Sequence, residues 1–75
     1  MDGFYRILAE ALEADRVGPN DVLTDFDEWN SLAVLTIINS VDEQFGVTIE
    51  SDDLLAVRTA GDLESLVKTR VPSHA

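Results

Sequence analysis

The sequence has no cysteine among its 75 residues. That removes disulfide staples, thiolate nucleophiles and zinc knuckles together. Histidine is nearly absent as well, since His74, next to the last residue, is the only one. Without a second histidine or a cysteine there is no nucleophile–base pair of the usual kind, and no catalytic residue is expected. Basic residues are scarce. Five Lys and Arg face 15 Asp and Glu, a net charge of −10. Such a surface disfavours nucleic acid and anionic membranes and keeps the protein monomeric. It steers the chain toward positively charged protein faces, unless the acids are only a solvated exterior. No run approaches the roughly 20 apolar residues of a membrane span. Asp2 stands where a signal peptide wants Lys or Arg, and no continuous apolar core follows it. The expected location is cytoplasmic.

Two kinds of binding loop are missing too. Asp25, Asp27 and Asn30 invite comparison with a calcium loop, which needs ligands at positions 1, 3, 5 and 12 and Gly at 6. Counted from Asp25, position 5 is Trp29, position 6 is Asn30 and position 12 is Thr36, so the loop fails and no metal site is expected. No glycine-rich strand-to-helix turn with Lys is present either.

What is there is helical periodicity. Phe4, Ile7, Leu8, Ala11 and Leu12 fall on one face of an amphipathic helix, with Asp2 near its positive end. This helix should fade near Asp15, before the turn signal Gly18-Pro19. Ser31 to Phe45 holds no Gly or Pro, and Val34, Ile38, Val41 and Phe45 recur at helical spacing, with Leu35 and Ile37 widening the stripe. The β-branched "AVLTII" could suit a strand, but it lacks alternation. Gly46 fits the residue just past a helix end. "VTI" at 47–49 reads as extended. Ser51 can cap a short helix through "DDLLAV". Thr59 with Asp62 three residues on has capping-box spacing, and Leu63, Leu66 and Val67 follow as an inner stripe with Lys68 and Arg70 at the negative end. The expected fold is all-α: a small antiparallel four-helix bundle of three longer helices and one short helix. It forms a single domain over 1–75, with a frayed tail from about 71 to 75.

Between Asp15 and Asn30 runs a connection longer than compact domains usually allow. Val22, Leu23, Phe26 and Trp29 can pin it to the core. A pinned loop would hold the following serine at a defined, exposed place. Ser40 and Ser65 fall inside helices and Ser73 in the tail, whereas Ser31 and Ser51 fall at helix starts, where a plain cap explains either. Ser31 opens the longest helix after an acidic loop. A phosphate attached there would meet free backbone N–H groups and the positive end of the dipole.

Three elements in order carry a resemblance: "NSL" at the start of the second helix, "DEQFG" at its end, and "TAGDL" at the start of the last. With them the chain resembles the acyl carrier protein family, including the peptidyl and aminoacyl carriers, from about Phe4 to Val67. The resemblance implies a four-helix bundle whose serine receives 4′-phosphopantetheine from coenzyme A. The arm's terminal thiol then holds an acyl or aminoacyl group as a thioester. By this resemblance Ser31 is the modified residue, and the missing cysteine is explained by an imported thiol. A phosphopantetheinyl transferase and the loading and processing enzymes would be partners, with basic surfaces meeting Asp25, Asp27, Glu28, Asp42 and Glu43, and with Asn30 and Leu32 at the contact. A long acyl chain could fold back against Val34, Ile38 and Leu54. Asn30 stands where the family most often has Asp, which points to a specialised pathway rather than general fatty-acid synthesis. The rival readings are an acidic helical adaptor that is never modified and, more remotely, a regulatory subunit of a larger complex.

Overall fold

Each apolar stripe in the sequence becomes one buried helix face. The computed structural model describes residues 3–71, so Asp2, His74 and the rest of the tail from 72 lie outside the described residues. Four α-helices follow in order: α1 (Phe4–Ala11), α2 (Ser31–Phe45), α3 (Ser51–Ala56) and α4 (Ala60–Arg70). A single 3-10 turn, Leu23–Asp25, interrupts the long connection. Among the described residues there is no strand, only one isolated bridge between Val22 and Thr59. No described helix is long and apolar enough to cross a membrane. α1 packs against α2 and α4, and α3 packs against α2.

The core is continuous. Phe4, Ile7, Leu8 and Leu12 enter it from the α1 side, Leu63 and Val67 from α4, and Leu54 from α3. Val47 and Ile49 also insert, with Thr48 exposed between them, so the link from α2 to α3 alternates inward and outward without forming a strand. Gly46 ends α2 in the left-handed region (φ 67°), with its N–H bonded to the Asp42 carbonyl at 2.9 Å.

Two features differ from the periodicity reading. α1 stops at Ala11, not near Asp15. Glu13 takes φ 52°, Ala14 N–H reaches back to the Ala9 carbonyl at 2.9 Å, and Glu13 N–H meets the Glu10 carbonyl. That pair of bonds is a Schellman ending, which glycine normally signals. Here a glutamate holds the left-handed position, so the sequence gives no warning. On α2 the fully buried stripe is Ala33, Ile37 and Val41, while Val34, Ile38 and Phe45 are half-buried and Leu35 is exposed. The helix is thus rotated by less than one residue from the expected stripe: Val41 is common to both, while Ala33 and Ile37 replace Val34 and Ile38 at the buried centre.

The long connection is stitched to the start of α4. The Leu23 side chain is fully buried, and its N–H bonds the Arg58 carbonyl at 3.0 Å. Ala60 N–H bonds the Asp21 carbonyl at 3.0 Å, and Gly61 N–H bonds the Pro19 carbonyl at 2.9 Å. A Cβ at Gly61 would lie 2.8 Å from that same carbonyl oxygen, so only glycine permits this approach. Thr59 and Asp62 complete the capping box read from the sequence: Asp62 N–H donates to Thr59 Oγ1 (3.1 Å) and Thr59 N–H to Asp62 Oδ2 (3.2 Å).

Candidate functional site

Fixing the connection to α4 also fixes where α2 begins. The cap of α2 is Asn30 and not Ser31. Asn30 is extended (φ −148°, ψ −177°), and its Oδ1 accepts from the Ala33 N–H at 3.0 Å. Ser31 is the first residue of the helix proper and is exposed. The same shift occurs at α3, whose cap is Glu50 rather than Ser51. There the Asp53 side chain reaches back to the cap, accepting from the Glu50 N–H at 2.9 Å. Asn and Ser are nearly equal as caps, so residue type alone could not choose between neighbours.

The start of α2 remains open. Val34 N–H is taken by the Asn30 carbonyl at 3.0 Å and Ala33 N–H by the Asn30 side chain. No backbone carbonyl among the described residues accepts from Ser31 or Leu32. These two belong to the donors that every helix start leaves unpaired. No acidic side chain occupies the first turn of α2, whereas Asp52 and Asp53 occupy that of α3 and Asp62 that of α4. The positive end of α2 is therefore the least neutralised of the three.

Beside Ser31 lies an open apolar groove of about 420 Å³, walled by Trp29, Val34, Leu35 and Leu55 with Asn30, Ser31 and Ser51 at its polar edge. Of the three residues expected to meet an acyl chain, Val34 lines this groove. Ile38 is half-buried against the core, and Leu54 is itself core, 1 % exposed. Sequence reasoning missed Trp29 as a wall, and it missed Leu55. In "DDLLAV" only one of two adjacent leucines can face inward, and the pattern did not say which.

The remaining expected contact residues are all at the surface. Leu32 is 73 % exposed, and Leu35 and Leu55, exposed as well, line the groove. Asp25, Asp27 and Glu28 are exposed on the loop before Ser31, and Asp42 and Glu43 on the far end of α2. Glu28 borders a second cleft shared with Leu12, Glu13, Ala14 and Phe26. Its hydrogen bond with Glu13, and then the charge of Glu13, hold the Glu28 carboxyl above its ordinary pKa. Two carboxyl groups so close resist double ionisation. In the first turn of α3, Arg70 grips Asp53 with both terminal guanidinium nitrogens, at 2.6 and 3.1 Å. That fork, followed by the Glu50 N–H bond, holds the Asp53 carboxyl below its ordinary pKa.

An exposed serine hydroxyl on a helix start, beside two free N–H groups and an apolar groove, suits an arm that begins with a phosphodiester and continues as an organic chain. Comparison with known proteins agrees. The family model of the phosphopantetheine attachment site matches residues 2–67. Acyl carrier protein MbtL of Mycobacterium sp. (strain MCS) is 32 % identical over 69 residues, covering 89 % of this chain and 78 % of that one. A Mycobacterium tuberculosis structure described as an acyl carrier protein superposes with a TM-score of 0.75 at 25 % identity, covering 91 % of this chain and 93 % of that one. The solution structure of holo acyl carrier protein from Geobacter metallireducens has the same fold, with a TM-score of 0.73 at 22 % identity over 92 % of this chain and 82 % of that one. The prosthetic group of such carriers is 4′-phosphopantetheine. The chain belongs to the phosphopantetheine attachment-site family, among the acyl carrier proteins.

Proposed function

We propose that Ser31 is the attachment residue, and that the arm it bears carries acyl or aminoacyl intermediates in a specialised biosynthetic pathway. The observation that carries this reading is the place of Ser31: exposed, first in α2, with unpaired N–H groups beside it and the groove at its side. Ser31 supplies the oxygen that becomes the ester oxygen of the arm's phosphodiester. The open helix start then offers donors and a positive field to that phosphate. The bound arm supplies a thiol, which the chain itself lacks. The chain's own residues present and shelter the cargo. Val34, Leu35, Leu55 and Trp29 offer apolar surface to an acyl chain that turns back from the thiol.

Carrier proteins work with phosphopantetheinyl transferases and biosynthetic enzymes. We assign their contact to the face around Leu32 and Leu35, framed by Asp25, Asp27, Glu28, Asp42 and Glu43. Between Val17 and Val57 the sequence has nine acidic residues and no Lys or Arg, so this half of the chain favours basic partner surfaces. Binding should be weak and fall as salt rises, because exposed charges add to encounter rate more than to affinity. Partner affinity unchanged between low and high salt would count against this surface. Asn30 favours a dedicated pathway, and efficient loading by general fatty-acid synthesis enzymes would count against that part.

The direct test is incubation of the unmodified protein with coenzyme A and a broad-specificity phosphopantetheinyl transferase, followed by intact mass measurement. The expected result is one phosphopantetheine increment in the wild type and none in Ser31→Ala. No increment under conditions that modify a control carrier would favour an unmodified adaptor.

A further inference from the structure

We infer that Asn30 positions the arm's phosphodiester, one end of its amide holding α2 and the other end free for the phosphate oxygens. This rests on Ser31 as the attachment residue. The Oδ1 of Asn30 is committed to the Ala33 N–H, which fixes the amide in one orientation and leaves its NH₂ group as the unused end. Asn30 is exposed and shares the groove edge with Ser31. An aspartate would make the same cap bond equally well. Its second oxygen, though, would set a like charge beside the phosphodiester, where the amide sets a donor.

The pattern of charge along the chain sharpens this. Acids are abundant, and they stand in the first turns of α3 and α4. The first turn of α2 has none, and its cap is neutral. Of the starts of α2, α3 and α4, the one left without an acid in its first turn is the one that receives an anion by modification. Asn30 therefore keeps the structural role of a cap while leaving the field of a 15-residue helix for the phosphodiester.

The test compares the unmodified and modified forms of wild type, Asn30→Asp and Asn30→Ser, each verified by intact mass. Asp and Ser cap about as well as Asn, so all three should fold, and the unmodified forms report any purely structural change. In the wild type, modification should raise Tm by about 2–4 °C and shift the side-chain NH₂ resonances of Asn30. In Asn30→Asp the gain should vanish or reverse, and in Asn30→Ser it should shrink. An equal gain in all three variants overturns the inference, and so do Asn30 resonances that do not move. If wild type takes up no increment, the Ser31 reading fails and this inference with it. If it takes up the increment but the gains are equal, only the inference fails.

Discussion

The starts of α2 and α4 are built from similar parts and finished differently. At α4, Ala60, Gly61 and Asp62 each donate their N–H, to Asp21, Pro19 and Thr59 respectively, and an acid sits in the first turn. At α2, the first two donors, on Ser31 and Leu32, are open, one side chain satisfies the third, and no acid sits in the first turn. The closed start binds the chain to itself: it anchors the long connection and so sets where α2 begins. The open start is then available to something from outside. On the proposed role of Ser31, structure and function occupy the starts of different helices, and the first positions the second.

That contrast can be broken most severely at its anchor. Leu23 is fully buried under the stitched connection, and Leu23→Ala should cost about 2–5 kcal/mol, near the whole stability of so small a domain. Denaturant titration would show it, and a loss below about 1 kcal/mol would mean that the anchor lies elsewhere. Next come the two caps. Thr59→Ala and Asn30→Ala should each lower stability by about 1 kcal/mol, or Tm by about 4–8 °C. Thr59→Ala should also speed amide exchange in the loop at Asp21 and Leu23, whereas Asn30→Ala should leave those amides protected.

Two smaller effects concern pH. The pKa of Asp53 is lowered, first by Arg70. A lowered carboxyl contributes stability above its unfolded pKa and loses it as pH falls through the folded one. Asp53→Asn should therefore destabilise at neutral pH and converge with wild type in acid. The pKa of Glu28 is raised, first by its hydrogen bond with Glu13, so its contribution is present in acid and lost as pH rises through the raised value. Glu28→Gln should slightly raise Tm at neutral pH, with the difference fading below the carboxylate range. Both follow from thermal melts across pH 3 to about 8.

Much of this was legible in the residue order. Helix number and order, Gly46 as a stop and the Thr59–Asp62 box are local signals, each set by a few neighbouring residues. "TAGDL" reads as a helix start, but why its glycine is needed appears only when Pro19 arrives from 42 positions away to lie against Gly61. The end of α1 was hidden because a glutamate occupies a left-handed position. The cap of α2 is ambiguous in the sequence because Asn30-Ser31 offers two good caps in a row, and that of α3 is hidden because Glu50 is not a favoured cap residue while Ser51 is. The groove was only partly legible: Val34 was foreseen, but the choice of Leu55 over Leu54 depends on how α3 rolls against α2, which is a tertiary matter.

Ser51 makes the sharpest internal control for Ser31. It too opens a helix and touches the same groove, but Asp52 and Asp53 stand in the first turn of its helix. Fragmentation of the intact modified protein by tandem mass spectrometry separates the five serines directly. The account predicts that the phosphopantetheine increment appears wholly between the fragments that end at Asn30 and at Leu32. An increment on Ser51, or shared among several serines, would contradict it.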